Sequence, residues 1–195
     1  PFMLSLAVVL AGSGRTLDNF HERIQAGTLA GRIQVVVANV ESALGLEKAR
    51  RYGYPAFVAA DSERTNAILS DFPVDIVCLA GYLKLYLPPP SLSRRVVNIH
   101  PSLIPMFCGA GYYGDRVHRA VKQRGCLVSG CTVHFADEHY DEGPIILQKC
   151  VPLGFDDTIK EIGAQVFAAE CEAFPEALNL VDEKGVDYFW ERVQR

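Results

Sequence analysis

An amide and an imidazole two residues apart, Asn98 and His100, stand out in this 195-residue chain as groups able to do acyl chemistry. On an extended backbone, side chains at i and i+2 point to the same face, so the two groups would act together. An amide N–H stabilises a developing oxyanion, and an imidazole gives or takes a proton near neutral pH. The pair follows Arg95-Val96-Val97, which reads as the end of a buried strand. Pro101 and Pro105 come next and forbid both continued strand and helix. The same spacing also suits an Asn and a His that cap a turn at a strand end. A second stretch, Gly12-Ser13-Gly14-Arg15-Thr16, offers backbone N–H groups, a cation and a hydroxyl at the start of a helix. That is a cradle for one phosphate, and equally a tight turn. It lacks the third glycine of a dinucleotide fingerprint and the Gly-Lys-Ser/Thr of a P-loop.

Alternating strands and helices must position these groups. Leu4 to Leu10 is an apolar run leading through Gly-x-Gly into a helical pattern from about Thr16 to Gln25, with Leu17, Phe20 and Ile24 on one face. Further strands are predicted over 32–40, 56–59, 74–80 and 96–98, with helices over 43–52 and 64–70. Val74 to Ala80 is almost wholly apolar, as a central parallel strand should be. Pro88-Pro89-Pro90 is a rigid connector. Residues 106–114, with Gly109, Gly111 and Gly114 beside Tyr112 and Tyr113, read as a mobile loop next to the site. A helix over 117–124 and strands over 129–135 and 144–151 follow. A long amphipathic helix over 157–181 opens on an Asp-Asp-Thr cap, and Pro175 should kink or break it. The pattern implies one domain, 1–195. Its fold is α/β: an open, mostly parallel, twisted Rossmann-like sheet, helices on both faces, and an antiparallel C-terminal extension. Ligands of such sheets bind beyond the carboxyl ends of the strands. Gly12-Ser13-Gly14, Gly81-Tyr82 and Asn98 all fall at such ends.

The composition is that of an ordinary globular protein, 49% hydrophobic and 22% charged. A net charge of −4 argues against a general nucleic-acid binder, and no apolar run approaches the roughly 20 residues of a membrane span. Leu4 to Ala11 lacks a basic flank and runs into a glycine turn, so it reads as a strand and not a signal peptide. The six cysteines, without any C-x-x-C, are expected to be reduced and mostly buried. The five histidines are scattered and indicate no metal site. A cytoplasmic protein is expected, monomeric or homodimeric, with small-molecule partners.

Asn98-Ile99-His100-Pro101-Ser102-Leu103-Ile104-Pro105 resembles the N-x-H-x-S-L-L-P motif of the folate-dependent formyltransferases, with Ile104 for the usual Leu. His134-Phe135, then Tyr140-Asp141-Glu142-Gly143-Pro144-Ile145-Ile146-Leu147-Gln148, is similar to that family's second motif, an Asp followed two residues later by Gly-Pro. The group within the family that formylates glycinamide ribonucleotide is matched over essentially the whole chain. The resemblance implies a formyltransferase fold and transfer of formyl from 10-formyltetrahydrofolate, as co-substrate, to the ribonucleotide amine in purine biosynthesis, with no metal. Asn98, His100 and Asp141 would be the catalytic group, Asp141 keeping His100 protonated. Gly14, Arg15 and Thr16 would hold the substrate phosphate, although Arg15-Thr16 departs from the commoner Ser-Asn pair. Glu170 would meet the ribose hydroxyls, or be a solvated helix charge. Leu83, Lys84, Leu85, Tyr86, Asp137, Glu138, His139 and Tyr140 would wall the folate together with Asn98 and Asp141, largely through backbone groups. His134 would support the site or be a satisfied core histidine. Arg64 matches an arginine near the formyl donor. His21 and His118 are assigned to the surface. The rival readings are a formyltetrahydrofolate deformylase or a methionyl-tRNA formyltransferase, each of which carries an extra domain this length does not accommodate. A third is a non-catalytic nucleotide-binding module.

Overall fold

The alternation of apolar strands and amphipathic helices builds one seven-stranded sheet in a computed structural model that describes residues 3–193. The elements are β1 (Leu4–Leu10), α1 (Arg15–Gln25), β2 (Gly31–Ala38), α2 (Leu44–Arg51), β3 (Ala56–Val58), α3 (Ser62–Leu69) and β4 (Ile76–Ala80). A 3-10 turn over Pro90–Leu92 leads to β5 (Val96–His100), α4 (Asp115–Arg124), β6 (Val128–Phe135), β7 (Ile145–Pro152), α5 (Ile159–Lys184) and α6 (Val186–Arg192). The sheet order is β3-β2-β1-β4-β5-β6-β7. The first five strands run parallel, and β6 and β7 are antiparallel. The chain leaves β1 on one side for β2 and later returns on its other side with β4, a topological switch point beside which open α/β sheets bind ligands.

Period-two alternation divides the strand residues between two cores. One holds Leu6, Val8, Leu10 and Val97 against Leu17, Phe20 and Leu46 of α1 and α2, Val117 of α4, and Val166 and Phe174 of α5. The other holds Ala7, Val9, Val77 and Val96 against Leu69 of α3 and the 82–92 segment through Tyr82, Tyr86 and Leu92. Helices thus cover both faces unequally.

Two departures from the sequence pattern have physical causes. Strand β5 continues to His100, two residues past the expected end, because β6 pairs with it up to His100↔Thr132. Helix α5 neither breaks nor ends at Pro175 but runs for 26 residues through it. Proline removes the N–H that would bond the carbonyl four residues back, that of Cys171. Asn19 Nδ2 (3.0 Å) and Arg23 Nη2 (3.3 Å), both from α1, donate to that freed carbonyl instead. The helix starts in a full capping box: Glu161 N–H donates to Thr158 Oγ1 (3.2 Å) and Thr158 N–H to Glu161 Oε2 (2.7 Å). Helix α6 carries no expectation from the sequence pattern; it buries Phe189 against Phe135 at 5.9 Å between ring centroids. The cysteine expectation is corrected in part. All six thiols are free, but only Cys78 and Cys131 are fully buried, and Cys150 is exposed on the edge strand β7. Among the described residues no helix is long and apolar enough to cross a membrane.

Candidate active site

Asn98 and His100 do share a face, and the register across β6 sets their neighbours: Asn98 lies opposite His134 and His100 opposite Thr132. His134 is 1% exposed, and its Nδ1 donates to the Phe135 carbonyl at 2.9 Å. In that tautomer Nε2 is left as an acceptor, and the Asn98 amide Nδ2 donates to it at 3.3 Å. One amide hydrogen is thereby committed, the amide is oriented, and its second hydrogen is free for a ligand. His100, 4% exposed, donates through Nε2 to the Phe107 carbonyl at 2.8 Å. Its Nδ1 stands 3.5 Å from Asp141 Oδ2, while Asp141 Oδ1 stands 3.5 Å from His134 Nε2. The Gly109 N–H donates to Asp141 Oδ2 at 2.9 Å. The two imidazoles, the amide and the carboxylate therefore form one contiguous polar group at the carboxyl end of β5.

The loop between β6 and β7 carries Asp141 inward by two local devices. Asp141 itself is in the left-handed region at φ 60°, where an Asp is tolerated better than most residues. Two residues on, Gly143 passes so close to the Phe135 carbonyl that an added Cβ would lie 1.8 Å from its oxygen. The glycine of the Asp-x-Gly-Pro sequence is therefore demanded by backbone approach. A register shift between Val133 and His134 in the β6–β7 ladder turns the strand end at the same place.

Burial sets the charge of this group against the sequence expectation. Desolvation lowers the His100 pKa below its usual 6.5, and it outweighs both the Asp141 carboxylate and the Phe107 carbonyl, which favour the protonated ring. His134 nearby opposes protonation as well. Asp141 thus biases His100 toward imidazolium without keeping it there in the free protein. For Asp141, burial works upward instead. Against it stand a hydrogen bond that His134 Nε2 donates only when that ring is protonated, the positive charge of a protonated His100, and the Gly109 N–H; together they exceed it and hold the carboxyl below 3.8.

The glycine loop and Glu170 come together elsewhere. Gly14, at φ 73°, is the residue before α1, and a Cβ there would meet the α carbon of Gly45 at 2.5 Å. The Arg15 guanidinium lies 3.9 Å over the Phe167 ring of α5. Thr16, Ile99, Phe167 and Glu170 line one small gap. Burial raises the Glu170 carboxyl to about 7, with the Arg15 charge pulling the other way. Glu170 is half-buried, so it is not a fully solvated helix charge. Val96 belongs to one core and Ile99 packs against the other, so alternation along β5 puts Asn98 and His100 on the opposite face from the Glu170 gap. The two groups meet only over the carboxyl edge of the sheet.

The remaining expected residues divide. Leu83 (58%), Leu85 (36%) and Tyr140 (44%) are large apolar side chains left exposed near the strand ends, with Glu138 and His139 exposed beside them and Asp137 half-buried. Lys84 Nζ donates to the Ala60 carbonyl at 3.0 Å. The Tyr86 ring is turned away: it is buried in the second core and its hydroxyl donates to Asn66 Oδ1 at 2.6 Å. Only its backbone can face a ligand. Arg64 is exposed on α3. The surface assignment of His118 is corrected, while His21 is half-buried. His21 stacks on Tyr52 at 3.9 Å and bonds the Tyr54 hydroxyl at 2.7 Å. His118 is 6% exposed between α4 and Gly163 of α5, its Nδ1 without a partner, and burial lowers its pKa. No group of side chains that could hold a metal occurs among the described residues. The groups that sequence reasoning missed are the Phe107 carbonyl and Gly109 N–H, since main-chain groups leave no residue-type signal.

The formyl transferase family model matches residues 4–178. A Vigna unguiculata protein named chloroplastic phosphoribosylglycinamide formyltransferase is 39% identical over 194 residues, 93% of this chain and 62% of its own length. The trifunctional purine biosynthetic protein adenosine-3 of Gallus gallus is 36% identical over 91% of this chain, which spans 18% of that protein. The crystal structure of glycinamide ribonucleotide transformylase 1 from Symbiobacterium toebii superposes with a TM-score of 0.81 at 38% identity, covering 91% of this chain and 86% of that one. With a family match reaching from β1 into α5, across every strand that forms the site, the chain belongs to the formyl transferase family.

Proposed function

We propose that this chain transfers the formyl group of 10-formyltetrahydrofolate to the primary amine of glycinamide ribonucleotide, a step in purine biosynthesis. The observation that carries this reading is the contiguous Asn98–His100–His134–Asp141 group at the strand end. Attack of an amine on a formyl carbonyl places negative charge on the carbonyl oxygen. The uncommitted Asn98 N–H is the donor for that charge, in a site dry enough to strengthen it. His100 meets the same region, and Asp141, kept anionic at neutral pH, receives the proton the amine must lose or passes it through His100. No metal enters the scheme, because a primary amine is a competent nucleophile unaided.

The folate supplies the formyl group when bound. The exposed apolar side chains of Leu83, Leu85 and Tyr140, with the backbone of residues 83–86 and 137–141, suit a flat heteroaromatic ring and its tail. Gly14, Arg15 and Thr16 suit the phosphate, and Glu170 the ribose hydroxyls on the way between faces. A ribonucleotide long enough to span the sheet edge joins the two groups that alternation separates. The reading includes one domain over 1–195 and a cytoplasmic location; the Vigna relative is named as chloroplastic. Formyl transfer is tested by following tetrahydrofolate release with and without glycinamide ribonucleotide. Release that depends on the ribonucleotide supports the proposal. Release without it identifies a deformylase, and no release in either case a non-catalytic module.

A further inference from the structure

The Gln148 that closes the second motif is left without a task by the scheme above, yet it lies in one row with the site. Across the sheet, His100 on β5 pairs with Thr132 on β6, and Thr132 pairs with Gln148 on the edge strand β7. These three side chains share a face. Gln148 Nε2 donates to both the Ile104 carbonyl and Thr132 Oγ1, each at 3.0 Å. Thr132 Oγ1 also accepts from the Ile104 N–H at 3.1 Å and donates to the Ser102 carbonyl at 2.7 Å. A hydroxyl has one hydrogen and two lone pairs, and all three are used. Thr132 is fully buried and Ser102 is 1% exposed. The Ser102 hydroxyl in turn donates to the Met106 carbonyl, which precedes Phe107. The Phe107 carbonyl accepts the His100 Nε2–H.

We propose that Gln148 and Thr132 are positioning residues for the reaction: they pin both sides of the 102–107 turn and thereby hold the Phe107 carbonyl against His100. The consequence is chemical. With Nε2–H committed to Phe107, only Nδ1 faces Asp141, so the proton that moves between ring and carboxylate is the one on Nδ1. Phe107 sits at φ 48°, a left-handed conformation that a bulky residue keeps only when its surroundings hold it. The hydrogen-bonded row supplies that hold. Without it the turn relaxes, Phe107 releases the ring, and His100 gains freedom to rotate or change tautomer. Neither Gln148 nor Thr132 touches substrate in this scheme, which rests on the formyl-transfer reading for the meaning of a lost rate.

The test combines kinetics with NMR of the His100 ring. Thr132→Val keeps the shape and removes the hydroxyl. It should lower kcat on the order of tenfold or more while both KM values stay within about twofold, since small displacements of a reacting group fall on the transition state. Thr132→Ser restores the hydroxyl and should restore kcat to within about threefold. Gln148→Leu removes an amide that donates two hydrogen bonds from an exposed edge-strand position and should show the same kcat-only loss, roughly threefold to fivefold, within the range of ordinary hydrogen bonds. It carries the test if Thr132→Val does not fold. In the wild type the His100 Nε2–H proton should be protected from exchange, and it should broaden or vanish in Thr132→Val and Gln148→Leu but not in Thr132→Ser. Unchanged kcat in both hydrogen-bond deletions, a loss confined to KM, failure of serine to rescue, or an undisturbed ring proton overturns the proposal. A wild-type protein without formyl transfer, whose ring proton still responds to Thr132→Val, would sink the functional reading and leave the positioning intact.

Discussion

Asp141 and Glu170 are both carboxylates withdrawn from water in the two parts of the candidate site, and they are driven in opposite directions. Burial pushes each of them up. At Asp141 two imidazoles and the Gly109 N–H converge on the carboxylate, and the sum holds it below its ordinary value. At Glu170 no hydrogen bond arrives among the described residues; the Arg15 charge alone opposes burial, and the carboxyl stays at about 7. At Asp141 the groups aimed at the carboxylate outweigh burial, and at Glu170 they do not. The contrast fits the proposed division of labour. Proton transfer needs a group whose charge is assured at neutral pH. Contact with sugar hydroxyls works with either a carboxylate or a carboxylic acid.

The sharpest way to break this comparison is to remove charge at one end only. Asp141→Asn should lower kcat on the order of a hundredfold to ten-thousandfold with a much smaller change in KM, measured by steady-state formyl transfer. The same substitution removes an influence that raises His100, so the ring should titrate lower still than in the wild type. An unchanged or raised His100 titration by NMR would detach Asp141 from the ring.

At the other end the effect should fall on binding. Arg15→Ala with Thr16→Ala should weaken glycinamide ribonucleotide on the order of tenfold to a hundredfold, while folate binding stays nearly intact, since only the former carries a phosphate to the glycine loop. Separate titration of each ligand decides it. Equal losses for both would merge the two ends into one site and remove the contrast.

The opposite pKa directions predict opposite stability slopes. Glu170 is raised in the folded state, so its contribution is fully present below about 4.5 and is lost as pH rises through about 7. Glu170→Gln should therefore melt higher than wild type by a few degrees at pH 8 and show no gain at pH 4. Asp141 is depressed, so its contribution is present above 3.8 and is lost as pH falls through its lower folded value. Asp141→Asn should flatten the acid limb of the melting curve instead. Parallel slopes in the two variants would contradict the donor explanation.

The smallest effect concerns the helix that carries Glu170. Asn19→Leu removes one of the two donors to the Cys171 carbonyl freed by Pro175. A loss of about 1 kcal/mol is expected, or about 2–4 °C in Tm for a chain of this size, with kcat unchanged. Thermal melts at neutral pH would show it. A stability as high as that of wild type would mean that Arg23 alone satisfies the carbonyl.

Much was legible from residue types and spacing. The apolar runs named the parallel strands, because a strand buried on both faces has no polar side to show. The separation of two between Asn98 and His100 was enough to put them on one face. The Gly-x-Gly turn and the two motifs pointed to residues that the fold does gather at the strand ends. What only the tertiary structure decided follows from contacts that no local pattern encodes. Pro175 reads as a helix breaker until Asn19 and Arg23 arrive from α1. His118 reads as a surface residue until α5 brings Gly163 over it. The charge of His100 could not be judged from its neighbour Asp141 alone, because burial, a property of the whole packed sheet, outweighs it. The partners that hold the site, the Phe107 carbonyl and the Gly109 N–H, are main-chain groups. Every residue has such groups, so only the folded path of the backbone can say which of them reach His100 and Asp141.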